Sequence, residues 1–139
     1  MNILKNKKTA AVIPYYNEQS TIKKVIEETL KYVDFIIAVN DGSTDNSYSL
    51  IKDYDRVFHC SLENNSGKGA ALRKGFKKAI ELEPDFTVTI DADLQHPPAY
   101  IPNLLAEIKN YDIIIGSRRR DFRKMPVQRI ISNYLTSKL

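Results

Sequence analysis

The chain has 139 residues, 42% of them hydrophobic and 27% charged, which lies in the ordinary range of soluble globular proteins and is enough for one sizeable core in one domain. A single cysteine, Cys60, excludes an internal disulfide framework and a cysteine-ligated zinc site by counting, and fits a reducing, cytoplasmic setting. Residues 1–8 lack the apolar run of a signal peptide, and no stretch reaches the roughly 20 apolar residues needed to span a bilayer. The net charge of +4 is unevenly spread: residues 116–139 carry seven Lys or Arg against Asp121 alone, so that segment is +6 and the rest is −2. A basic end of this kind points to an anionic partner, namely a diphosphate, a lipid phosphate or an anionic membrane surface. Nucleic acid is disfavoured, because the basic residues are not interleaved with aromatics.

In chain order, residues 9–14 form a nearly continuous apolar run, as in a strand covered on both faces. Ile22, Val25, Ile26, Leu30 and Val33 then recur at helical spacing with charged residues on the other side, and Ser20 can cap the start. A second strand over 34–40 leads to a short helix capped by Asp45 or Asn46, with Tyr48, Ile51 and Tyr54 facing inward. After a strand over 56–60, residues 68–81 make a helix whose apolar side holds Leu72, Phe76, Ala79 and Ile80. A fourth strand covers 85–90, and Pro97 and Pro98 open a helix continuing through Ile101, Leu104, Leu105 and Ile108, since proline in a first turn sacrifices no hydrogen bond. Residues 112–117 read as a fifth strand. From Met125 onward, Val127, Ile130, Ile131, Tyr134 and Leu135 share one face of a basic amphipathic helix. Strands alternating with helices predict an α/β, Rossmann-like fold: a mainly parallel sheet with helices on both faces, an αβα sandwich.

An open parallel sheet binds its ligand beyond the carboxyl ends of its strands. Pro14-Tyr15-Tyr16-Asn17-Glu18 follows the first strand, Asp41-Gly42-Ser43 the second, Asp91-Ala92-Asp93 the fourth and Gly116-Ser117-Arg118 the fifth, so polar chemistry gathers on one edge. Asp91 and Asp93, one residue apart at the end of an extended strand, project to the same side. Their repulsion is relieved by a hard cation such as Mg²⁺ or Mn²⁺, with Gln95 able to add a neutral oxygen. In isolation, solvated or helix-capping acids look the same. Asp41 suits a ribose or base hydrogen bond, or a plain Asp-Gly turn. The stretch 64–69 lacks the first glycine and the Ser or Thr of a P-loop; Gly67 and Gly69 permit a tight turn that puts Lys68 near a ligand, or simply start a helix. His59 and His96 have no His or Cys partners at metal spacing and read as structural. No serine or cysteine is combined with a histidine in a pattern that suggests a hydrolytic triad.

Together, the strings Val12 to Glu18, Val39 to Asp45, Gly67-Lys68-Gly69-Ala70 and Asp91-Ala92-Asp93-Leu94-Gln95-His96-Pro97-Pro98 resemble the family 2 glycosyltransferases of GT-A fold. The last string, with Ile115-Gly116-Ser117-Arg118, is most similar to the dolichyl-phosphate mannosyltransferase and polyprenyl-phosphate glycosyltransferase branch. The resemblance implies inverting transfer of a sugar from a GDP- or UDP-sugar to a polyprenyl or dolichyl phosphate. It implies that Pro14, Tyr16, Glu18, Val39 and Asp41 hold the nucleoside, and that Asp91 and Ala92 line the diphosphate site. Asp91, Asp93 and Gln95 would ligate Mg²⁺ or Mn²⁺, and Arg118 would contact the diphosphate or donor sugar.

The family's acceptor-side acidic motif has no clear counterpart here beyond Asp121, so the chain looks like an N-terminal portion. Residues 1–118 would form the nucleotide-sugar-binding domain, and 119–139 a basic linker and helix. That helix, over 125–139, would lie on the inner face of a membrane or pack on further protein. Two other activities stay open: elongation of a polysaccharide, and nucleotide-sugar binding without turnover. A sugar-nucleotide pyrophosphorylase would need a glycine-rich loop after the first strand, and 14–18 contains no glycine.

Overall fold

The computed structural model describes residues 6–116. The first apolar run becomes β1 (Thr9–Tyr15), buried at every position. Seven consecutive buried residues need cover on both faces, and β1 has it as a central strand. It pairs in parallel with β2 (Phe35–Asp41) on one side and β4 (Phe86–Thr89) on the other. β3 (Val57–Leu62) pairs with β2, so the order is β3-β2-β1-β4. The chain winds outward from β1 to β3 and then returns to the opposite side as β4. That reversal lies between β1 and β4 and creates the crevice in which such sheets bind ligands.

Two aspartates fix the entry of the central strand. Asp34 Oδ2 accepts the N–H of Thr9 at 2.7 Å, and Asp85 Oδ2 accepts that of Lys8 at 2.8 Å while Lys7 Nζ reaches Asp85 Oδ1 at 2.6 Å. The hydrogen bond from Lys7 holds the Asp85 carboxyl below its ordinary value. These residues begin the expected second and fourth strands, and their side chains set the register of both against β1.

On one face of the sheet, Val12, Ile37 and Val39 form a core cluster with Ala71 and Ala79 of α3 (Lys68–Leu82). Between those alanines sits Gly75. A Cβ added there would overlap Val12 Cγ1 and stand 3.1 Å from Val39 Cγ2. The spacing 71, 75, 79 is a row of small residues on one helix face, and it lets the α3 backbone lie close on the strands. Of the expected apolar row, Ala79 is buried and Leu72 packs against the cluster, but Phe76 and Ile80 are 43% and 77% exposed. Side-chain size favours that row in the sequence, but close approach to the sheet selects its neighbour.

Strand alternation turns Ile13 and Ile36 to the opposite face. Both are fully buried there, as are Ile22 and Ile26 of α1 (Ile22–Thr29), Ile51 of α2 (Ser47–Ile51) and Ile101 of α4 (Ile101–Ala106). α1 packs on α2 and on the single 3₁₀ turn Pro98–Tyr100 that leads into α4. Helices thus cover both faces, giving the expected αβα layers, and each buried isoleucine contributes roughly 1.5–3 kcal/mol.

Local details differ from expectation. Thr21, not Ser20, is the N-cap residue of α1, and its hydroxyl donates to Glu18 Oε2 at 2.7 Å. Tyr48 is 44% exposed and meets the His59 ring edge-on, while Tyr54 donates to Glu27 Oε1 at 2.7 Å. Ile108 lies beyond the end of α4. Residues 112–116 form no strand, and Ile113 and Ile115 are 80% and 85% exposed. Apolar content alone does not make a strand, because ladder hydrogen bonds to a neighbour must form as well. The chain divides into two compact units, Met1–Ala106 and Glu107–Leu139. Among the described residues no helix is long and apolar enough to cross a membrane. The expected helix over 125–139 lies outside them.

Candidate functional site

At the carboxyl ends of β1 and β4 opens a cleft of about 240 Å³. Pro14, Tyr16 and Glu18 enter it from the loop after β1, Asp41 from the end of β2, and Lys68 from the first residue of α3. Asp91, Ala92 and Asp93 close it from the segment after β4. Val39 is not among its walls; it is fully buried under α3. Arg118 lies outside the described residues. Tyr15 and Ala71 also line the cleft, although the motifs single out neither. Ala71 sits three residues after Lys68, and that helical spacing was the available signal.

The loop after β1 is held by the loop after β2. Asn17 N–H donates to Ser43 Oγ at 3.0 Å and Asn17 Oδ1 accepts the N–H of Thr44 at 2.8 Å. Glu18 N–H donates to Ser47 Oγ at 2.9 Å, and Gln19 N–H to Asp45 Oδ2 at 3.0 Å. Ser47 in turn donates through Oγ to Asp45 Oδ1 at 2.6 Å. Burial acts to raise the Asp45 pKa, but the hydrogen bonds from Ser47 and Gln19 outweigh it and hold the carboxyl below its ordinary value. Asn17, Ser43, Asp45 and Ser47 therefore tie the two loops together and position the cleft wall that Tyr16 and Glu18 line. Within that wall Tyr15 is buried, and burial first, then nearby Tyr48 and Asp45, pushes its phenol far above the usual range. It stays neutral at physiological pH.

Asp41, 4% exposed, uses both carboxylate oxygens on the loop before α3. Oδ1 accepts Ser66 N–H at 2.8 Å and Oδ2 accepts Gly67 N–H at 2.9 Å. Gly42 permits this approach: its φ is +72°, and a Cβ there would stand 2.6 Å from the Asn64 carbonyl carbon and the Asn65 nitrogen. Asp41-Gly42 is thus a turn and also an anchor for the segment that carries Lys68.

β4 ends at Thr89, so Asp91 and Asp93 lie past the strand, with Ala92 and Asp93 in a turn. Strand alternation is not what brings them together. Leu94 takes a left-handed conformation, φ +62°, and Gln95 N–H donates to Asp93 Oδ1 at 2.9 Å. This tight turn carries His96 back to the carboxylates: one donor atom from each of Asp91, Asp93 and His96 lies within 4.8 Å of the others. His96 Nδ1 is 3.6 Å from Asp91 Oδ2. His96, read from the sequence as structural or supporting rather than as a ligand, stands close enough to be a candidate ligand. That reading rests on a search for His or Cys partners, and left-handed backbone at a leucine has no sequence signal. Lys68 Nζ is 2.5 Å from Asp91 Oδ1. Two carboxylates and one imidazole nitrogen fit a divalent cation, and the nitrogen suits Mn²⁺ better than Mg²⁺, which prefers oxygen.

A parallel sheet with paired carboxylates, a lysine and a helix start at its switch point defines a Rossmann-like protein with its cleft where such sheets bind ligands. The chain belongs to glycosyl transferase family 2, whose sequence profile matches residues 10–137. It is 35% identical over 144 residues to the UDP-N-acetylglucosamine–dolichyl-phosphate N-acetylglucosaminyltransferase of Methanococcus voltae, covering 88% of this chain and 57% of that protein. It is 34% identical over 125 residues to the undecaprenyl-phosphate 4-deoxy-4-formamido-L-arabinose transferase of Proteus mirabilis, covering 82% and 37%. The chain therefore spans little more than half the length of the first relative and less of the second. Glucosyl-3-phosphoglycerate synthase from Mycobacterium tuberculosis in complex with UDP superposes with a TM-score of 0.70 at 25% identity, over 98% of this chain and 51% of that one. The same enzyme with Mn²⁺, UDP and glucosyl-3-phosphoglycerate superposes with a TM-score of 0.62 over 78% and 42%.

Proposed function

We propose that the chain is the donor-binding part of a metal-dependent, inverting glycosyltransferase that moves a sugar from a UDP-sugar to a polyprenyl phosphate. The observation that carries this reading is the convergence of Asp91, Asp93 and His96 with Lys68 in the cleft at the β1–β4 reversal. The polyprenyl-phosphate acceptors in the names of both relatives support the acceptor, and UDP in the structural neighbours supports the nucleotide.

In this reading Pro14, Tyr16 and Glu18 hold the nucleoside, and Asp41 acts through the loop that it anchors. Val39 packs beneath α3, the helix that carries Lys68. Asp91, Asp93 and His96 hold Mn²⁺ or Mg²⁺, with Gln95 as a further oxygen donor. A bound divalent cation there would neutralise charge developing on the departing diphosphate. Lys68 and Arg118 add fixed positive charge to the same group. An acceptor phosphate oxygen attacks the anomeric carbon from the face opposite the leaving diphosphate, the carbon–oxygen bond to that diphosphate breaks, and configuration inverts. No general base is required, since a phosphate monoester with a second pKa of about 6 is already an oxyanion at neutral pH. Residues 125–139 would hold the protein at the inner membrane surface.

Calorimetric titration of the chain with UDP-sugars and GDP-sugars in the presence of Mn²⁺ tests the donor. Tighter binding of UDP-sugars is expected. Equal or tighter binding of GDP-sugars would overturn the uridine assignment.

A further inference from the structure

Asp91 has two neighbours on different oxygens, the Lys68 ammonium and the His96 ring. Lys68 Nζ sits 2.5 Å from Oδ1, and His96 Nδ1 lies 3.6 Å from Oδ2. A divalent cation and the Lys68 ammonium are both positive, so they compete for this one carboxylate. We infer that Lys68 is an exchangeable counter-ion of Asp91, which a nucleotide diphosphate draws away, so that cation binding becomes dependent on the nucleotide. The inference rests on the proposed cation site.

Three features fit an exchanging side chain on a fixed base. First, the backbone beside Lys68 is anchored, because Asp41 holds the two preceding N–H groups at 2.8 and 2.9 Å and Gly42 packs directly on Asn64 and Asn65. Second, the Lys68 side chain is 59% exposed, and an ion pair in that setting contributes little to stability, so breaking it is cheap. Third, Lys68 begins the 15-residue α3 with no side-chain cap in place, and the first N–H groups of such a helix attract an anion to the very spot where the ammonium can meet it. A diphosphate arriving there gives Lys68 a doubly charged partner and releases Asp91 Oδ1 toward the cation. Coupling of this kind is reciprocal: whatever factor the nucleotide adds to cation affinity, the cation adds to nucleotide affinity.

The test is Mn²⁺ binding to the full chain, read by electron paramagnetic resonance of the free ion, with and without UDP. Without UDP, Lys68→Met and Lys68→Gln are expected to bind Mn²⁺ tighter than wild type, on the order of tenfold, because a charge opposing a divalent ion at contact distance has gone. Addition of UDP should tighten Mn²⁺ binding in wild type and much less in either variant. Lys68→Arg keeps the charge and should retain the wild-type pattern. Equal or weaker Mn²⁺ binding by the Met and Gln variants without UDP would overturn the inference. Asp91→Asn should weaken Mn²⁺ binding in every condition; if it does not, the cation site itself is wrong and the inference falls with it.

Discussion

The carboxylate of Asp41 accepts the backbone N–H of Gly67 at 2.9 Å, across 26 residues of sequence, while its second oxygen takes Ser66. An acid at the end of a strand thereby fixes the start of the helix that carries Lys68. Asp41→Asn removes one of the two acceptors and leaves a partly buried N–H, of Ser66 or Gly67, facing an amide. Stability should fall by about 1–3 kcal/mol in urea unfolding, and UDP affinity should fall with it. Unchanged stability with reduced UDP affinity would instead make Asp41 a direct ligand contact.

Gly75→Ala is expected to destabilise the chain by roughly 1–3 kcal/mol, because the added methyl meets Val12 and Val39, core side chains that cannot move aside freely. Phe76→Ser and Ile80→Ser, on the exposed side of the same helix, should each change stability by no more than about 0.5 kcal/mol. Urea midpoints of the three variants decide between the two helix faces.

Ser47 is fully buried, donates to Asp45 and accepts the N–H of Glu18. Ser47→Ala strips that partner from Glu18, with an expected cost of about 1–3 kcal/mol. Since Glu18 lines the cleft and Ser47 does not, the variant should also bind UDP more weakly. Calorimetry on a folded Ser47→Ala sample measures this directly.

Burial depresses the His59 pKa below its ordinary 6.5, only partly offset by the nearby Ile51 backbone. Above pH 6.5 the imidazole is neutral in both states and costs nothing. As pH falls below that value the unfolded chain takes up the proton first, so stability declines until the folded pKa is reached and then levels. His59→Phe should flatten this part of the profile. Urea midpoints between about pH 7 and about pH 5 report it; an unchanged slope would show that other groups cause the decline.

Much of the architecture is legible from periodicity. β1, β2 and the Ile22, Val25, Ile26 face of α1 follow apolar patterns that have one solution each. The motif residues of the cleft follow from the rule that parallel sheets bind ligands at strand ends. What is not legible is contact-dependent. The 71, 75, 79 row on α3 is chosen by how closely the helix must approach Val12, and nothing in the local sequence states that distance. His96 joins the carboxylates through a left-handed Leu94, a conformation that side-chain type does not announce. Asn17 and Ser43 stand inside the strand-end motifs and Asp45 reads as a helix cap, yet with Ser47 their hydrogen bonds run from loop to loop.

The most direct test of the donor-site assignment is the affinity of UDP measured by calorimetry with and without Mn²⁺, on wild type and on Asp93→Ala. Mn²⁺ should tighten UDP binding to wild type by at least about fivefold and leave the variant unaffected. Equal UDP affinity in all four titrations would contradict a cation shared between Asp91, Asp93 and the diphosphate.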